Sequence, residues 1–312
     1  MENDNRPALA VVCALSAMAL FGLIDNFMRP AAEIGGLWQF HLLRSLIALG
    51  LLLVVAWFMG ISVRPKRPRN VLGRSLLNGV AMCIYFGCLG LMPISQVVAG
   101  LFTAPIFVVI FSVAFFGETV GARRIFAVLL GFAGILMVIR PDAEAFSLLS
   151  AVPVLAGAIY ALGIIATRRW CAGEGTLTLL GAFFGVMLGF GALGVFVLTL
   201  FPVEVPSGAE GFVVRGWVRP EGIFLTMIIV QGVGSLIGVG LSIKAYQLAE
   251  ASFVAVFENM LIVFATVWAI ILWGEVPSTI SIIGIACVAG AGVIIAVRSE
   301  KPQTVRAVTL PE

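Results

Sequence analysis

Four ionisable residues sit inside or at the edge of apolar stretches long enough to cross a bilayer. The run "GLWQFHLLRSLIALGLLLVVAWFMG", residues 36–60, carries His41, the single histidine, and Arg44. Three residues apart, they share one helical face. Asp25 stands near the end of the preceding apolar run, and Glu258 lies about six residues into a later one. Arg44 is ~12 Å along its helix at 1.5 Å per residue, too deep to reach water past lipid. Insertion of an arginine at the bilayer centre costs about 2.5–3.5 kcal/mol, so it faces a partner or a wet cavity. A short connector makes the first two spans neighbours and sets Asp25 and Arg44 at comparable depth. They are expected as an ion pair, or as a cluster with His41, that either orients two helices or lines a substrate path. Carboxylates buried in transporters carry coupling protons or bind amines. Glu258 and Asp25 are therefore the proton-coupling candidates, and with Arg44 they form a mixed-charge set suited to a small zwitterion.

Polar and aromatic residues near the expected midplane add to the candidate path. They are Asn78, Tyr85, Thr103, Tyr160, Gln231 and Ser235, with Phe102 and Trp268 as apolar walls and Asn259 beside Glu258 on the other side of the midplane. Any one of the polar residues could instead bridge two helices. Pro105, in "TAPIF", is a candidate hinge, and Lys244 could pair with Glu250 or Glu258. No catalytic set is seen: there is no nucleophile–base pair, no H-E-x-x-H and no phosphate-binding G-x-x-x-x-G-K-[ST]. No ring of polar residues or filter loop marks a channel. The five cysteines form no C-x-x-C pair, so neither metal nor disulfide framework is indicated, and no cofactor is expected.

The elements that must position these residues follow from composition. Hydrophobic residues make up 61% and charged ones 11%, with a mean hydropathy of +1.13. No soluble surface can be built from that, since soluble domains carry about 25% charged residues. The chain reads as an all-α integral membrane protein, and the lipid bilayer is its solvent. A net charge of +3 without a basic cluster among aromatics argues against nucleic acid. Glu2 and Asp4 near the start are wrong for an export signal, so the first apolar run is read as a retained span. Ten spans are expected, at 8–28, 36–59, 71–91, 94–116, 123–140, 148–167, 175–200, 222–246, 252–273 and 278–297. Glycines at helical spacing, such as Gly181, Gly185 and Gly189 or Gly234 and Gly238, favour close helix packing. Thirteen Lys and Arg, with Arg74 among them, fall on the N-terminal side of the membrane and four on the other. By the positive-inside rule both termini are cytoplasmic. The loop at 201–221 carries no motif and is taken as a connector.

The halves repeat. "LMPIS" (91–95) matches "LAEAS" (248–252), and Gly117-Glu118 matches Gly274-Glu275 at the same offset of 157. One inserted residue later, "AGILMVIR" (133–140) matches "AGVIIAVR" (291–298). Five spans per repeat is odd, so the second copy is inverted, an arrangement common in secondary transporters. The expected division is a first five-helix repeat at 1–145, a second at 146–298 and a cytoplasmic tail at 299–312.

In the two helix–Gly-Glu–helix units, the Ala/Ser turns opening them and the arginine of the second span, the chain resembles the drug/metabolite transporter (DMT) superfamily, EamA type. The likeness covers roughly residues 9–298. It implies secondary transport of a small metabolite by alternating access in the cell (inner) membrane. An amino acid or related zwitterion, exported, is favoured; the alternative is import of a larger nucleoside-type compound, vitamin or quaternary amine. The chain departs from the pattern where Ile262 stands opposite Pro105, which puts a symmetric proline hinge in doubt. Ten spans suffice for a monomeric path, and a homodimer is the other expectation.

Overall fold

In bilayer hydrocarbon every backbone N–H and C=O must bond within its own segment, so apolar runs of this length become helices. The computed structural model describes residues 6–26, 28–88, 94–139, 149, 151–274 and 276–296, and the described residues form no strands. The helices are α1 (Pro7–Asp25), α2 (Met28–Ile34), α3 (Leu37–Phe58), α4 (Pro68–Cys88), α5 (Ile94–Leu101), α6 (Ala104–Phe116) and α7 (Ala122–Ile139). They continue as α8 (Ala151–Arg169), α9 (Thr176–Leu200), α10 (Gly222–Leu248), α11 (Ala251–Glu258), α12 (Met260–Trp273) and α13 (Thr279–Ala296). Nine segments are long and apolar enough to span, counting α5 with α6 and α11 with α12 as one each; α13, apolar over Thr279–Ile295, is the tenth.

Contacts between helices come in matched sets. α1 packs on α10 as α8 packs on α4, and α1 meets α11 and α12 as α8 meets α5 and α6. α3 packs on α10 as α9 packs on α4, while α3 with α9 and α7 with α13 pair across the middle. This is the pattern of two five-span sets related by a two-fold axis. The boundary expected at 145/146 and the tail at 299–312 lie outside the described residues, as do Pro93, Arg140 and Glu275 of the repeat motifs.

The glycines of the two turns are equivalent in geometry as well as sequence. Gly117 ends α6 at φ 62° and Gly274 ends α12 at φ 68°. Only glycine adopts that left-handed cap without a Cβ penalty. The fourth and ninth spans, expected at 94–116 and 252–273, are both interrupted at the same repeat position, after Leu101 and after Glu258, again 157 apart. One break is followed by Pro105; the other has no proline, and Ile262 N–H bonds back to Asn259 O at 3.2 Å in a tighter turn. The interruption is therefore symmetric although the proline is not.

Close packing occurs at some glycines and not at others. A Cβ on Gly234 or Gly238 would press on Ile24 or Phe21 of α1, whereas Gly185 and Gly189 have nothing within 4 Å. The 201–221 loop is more than a connector. Phe212 is fully buried, Leu37 N–H bonds to its carbonyl, and Gln39 Nε2 donates to Val218 O. The Arg215 guanidinium donates to Ala32 O and Gly35 O at the end of α2.

Candidate functional site

Both sets of spans line one central cavity of about 1190 Å³ of space free of protein atoms, part of it open to the outside. Polar anchors in it come mainly from α1, α3, α4, α8, α10 and α11, with apolar wall from Met18, Phe21, Phe102 and Phe183. All three tyrosines of the chain, Tyr85, Tyr160 and Tyr246, are in the lining.

At the end away from the N-terminus, Asp25, the last residue of α1, is exposed to the cavity. Gln231, from α10, donates from Nε2 to Ile24 O at 3.0 Å, which holds its amide beside Asp25. Arg44 is 5% exposed, and its guanidinium lies 5.1 and 5.6 Å from the ring centres of Phe40 and Phe86, a cation–π seat. Its Nη2 donates to His41 Nδ1 at 3.2 Å, and its Nε has no protein partner. His41 itself is fully buried behind Arg44, edge-on to Phe86 at 5.1 Å between ring centres, and does not line the cavity. The expected Asp25–Arg44 ion pair is not made: the two share the cavity without an N–O contact within 4.0 Å. Of the expected cluster, only the Arg44–His41 contact is made, without Asp25.

The other end is built around Glu258, the last residue before the break in the ninth span. It is 8% exposed, and Tyr160 Oη donates to its Oε1 at 3.1 Å. Tyr246 lies against the same carboxylate, its hydroxyl without a hydrogen bond of standard geometry. Arg74 faces this group from α4. Counted above with the loop charges, it is 4% exposed inside the span, donating from Nε to Thr167 Oγ1 at 2.8 Å. The thiol of nearby Cys171, in the loop after α8, is pushed up to about 11 by burial against the pull of Arg74, so it offers no counter-charge. The expected Lys244–Glu250 or Lys244–Glu258 pairs are absent. Glu250 is taken by Arg124 at 2.7 Å, which also donates to Ser252 Oγ, and Lys244 is exposed.

Of the residues singled out by sequence, the cavity gathers Asp25, Arg44, Asn78, Tyr85, Phe102, Pro105, Tyr160, Gln231, Ser235 and Glu258. Four others sit in its supporting wall. His41 backs Arg44. Thr103 Oγ1 donates to Gly100 O at 2.6 Å beside the fourth-span break. Asn259, 1% exposed, wedges onto Gly131, and Trp268 Nε1 donates to Ala19 O at 3.1 Å, tying α12 to α1. Arg74, Thr167, Ser242 and Tyr246 were not anticipated. Arg74 was masked by the arginine-rich stretch 64–69 before it; the other three are polar residues inside apolar spans, the signal used elsewhere.

Residues 8–140 match the model of the EamA-like transporter family. A pseudopaline exporter, CntI, from Pseudomonas aeruginosa is 26% identical over 89% of this chain and 94% of its own. A riboflavin transporter from Rhizobium johnstonii is 23% identical over 92% and 90%, and an S-adenosylmethionine uptake transporter from Rickettsia bellii 23% over 80% of each. One solved crystal structure superposes with a TM-score of 0.73 over 94% of this chain and 98% of that chain; at 20% identity it speaks for the fold alone. With ten apolar helical segments, a first half that matches the EamA-like family and these relatives, the chain is similar to DMT-superfamily transporters of the EamA type. It is a multi-pass membrane protein that moves a small metabolite.

Proposed function

We propose that the protein is a secondary transporter that carries a small zwitterion, an amino acid or a related metabolite, across the inner membrane by alternating access, with export favoured. One observation carries this reading. Asp25, Arg44, Arg74 and Glu258 line a single cavity and none forms an ion pair with another protein group; the ion pairs among the described residues lie elsewhere. Arg44, Arg74 and Glu258 are buried without a direct ion pair among the described residues, which is costly, a cost that a ligand bearing both signs offsets. The apolar walls and few polar anchors suit a small-molecule site. The symmetric breaks after Leu101 and Glu258 put irregular backbone where it lines a cavity, as in transporters whose two repeats rock around a central site. The two halves that rock are taken as 1–145 and 146–298, with both termini cytoplasmic.

Export accords with the pseudopaline exporter, and the riboflavin and S-adenosylmethionine relatives support the alternative of uptake of a larger metabolite. Solute counterflow in proteoliposomes decides between them. The expected result is exchange of a labelled zwitterion in preference to nucleosides and quaternary amines, abolished in Arg44→Ala protein that still folds. Preferential exchange of a nucleoside or quaternary amine, unaffected by Arg44→Ala, would overturn the zwitterion reading.

A further inference from the structure

The cavity holds two guanidinium groups, at opposite ends. Gly232 of α10 packs at the level of Arg44, where a Cβ would lie 3.4 Å from the Arg44 carbonyl oxygen. Tyr246, which touches Glu258, is 14 residues further along the same helix, about 21 Å at the standard helical rise. Arg74 belongs to this second end through Thr167 and the adjacent Tyr160. It bonds to neutral oxygens, Thr167 Oγ1 at 2.8 Å and Leu179 O at 3.4 Å, and makes no ion pair with a carboxylate among the described residues. Three cavity-lining residues carry buried polar atoms without a hydrogen bond of standard geometry: Asn78 Oδ1, Ser242 Oγ and, at the Glu258 end, the Tyr246 hydroxyl. The charges of a simple α-amino acid are adjacent and reach one end only.

Resting on the zwitterion reading above, we propose that Arg74 is a second anion anchor. The substrate class is then an elongated amine with two separated carboxylates. One carboxylate is held by Arg44 and the other by Arg74, and the ammonium is held by Asp25 or Glu258. Bidentate guanidinium–carboxylate geometry at each end makes the second carboxylate a requirement rather than a tolerated group.

The test is thermal stabilisation of the full-length protein in detergent by three probes: γ-glutamylglycine, its C-terminal amide γ-glutamylglycinamide, and alanine. The free acid is expected to act at a concentration at least about tenfold below the amide, the worth of one charge-assisted bond. In Arg74→Gln protein that advantage is lost, so that acid and amide act at like concentrations. Equal potency of acid and amide in the unmutated protein overturns the second anchor, and needs no variant to fold. Stabilisation by alanine but by neither glutamyl compound also overturns it and leaves the zwitterion reading standing. No response to any of the three, combined with counterflow of a non-zwitterion, overturns both.

Discussion

Arg44 and Glu258 are each seated by neighbours that fix position without removing charge. Phe40, Phe86 and His41 hold the guanidinium; Tyr160 holds the carboxylate. Replacing Arg44 with Ala is expected to raise the half-saturation concentration for a zwitterion by about tenfold or more, since bonds to charged groups are worth about 1.5–3 kcal/mol. Counterflow titration reads this, and an unchanged value would make Arg44 a strut. Glu258→Gln removes the one group at that end able to exchange a proton as a carboxylate. Transport driven by a pH gradient is expected to lose its pH dependence in this variant while exchange without a gradient persists. Retained pH-driven uptake would remove Glu258 from coupling. These residues were legible because a charge in an apolar span is costly wherever it faces. Which polar residue faces the cavity was not legible, because that depends on helix rotation set by tertiary packing. Thr103, Asn259 and Trp268 carry the same sequence signal as Ser235 and Tyr160, yet they serve the wall.

The helices pack where backbone approaches backbone. Gly134 of α7 and Gly284 of α13 face each other so closely that a Cβ on either would lie 2.5 Å from the other's carbonyl oxygen. Gly134→Leu is expected to lower stability by about 1–3 kcal/mol or more, whereas Gly185→Ala on an open face should be neutral or gain up to ~1 kcal/mol of helix propensity. Midpoints of thermal unfolding in detergent compare the two, and equal midpoints would contradict the packing of α7 on α13. The spans themselves were readable from apolar run length. Their breaks were not: the ninth span has no proline, and its interruption at Asn259 is a local turn, Ile262 N–H to Asn259 O, that no residue type in the run marks. The repeat offset of 157 pointed to it, since position 102 opposite 259 is where the proline-bearing copy also opens.

Across the whole molecule, elements at the end bearing the N-terminus are joined by polar contacts. Glu174 accepts the backbone N–H groups of Lys66 and Arg67 at 3.0 and 2.6 Å, Arg169 pairs with Glu118, and Arg124 with Glu250. Glu174→Ala removes the acceptor of two partly buried N–H groups and is expected to cost about 1 kcal/mol, seen as a lower unfolding midpoint and faster proteolysis in the 60–67 loop; an unchanged midpoint would show the contact to be idle. The two-fold pairing of spans was foreseeable from the repeat, while these loop contacts join residues about a hundred apart that no local pattern relates. The account's central claim is that the unpaired cavity charges are completed by a substrate of both signs. Equilibrium binding of the exchanged zwitterion to the solubilised protein, beside its decarboxylated amine and its N-acetylated acid, tests this most directly. Each analogue is predicted to bind at least about tenfold more weakly than the parent. If either binds as tightly, the charges at one end of the cavity do not hold substrate, and the claim fails.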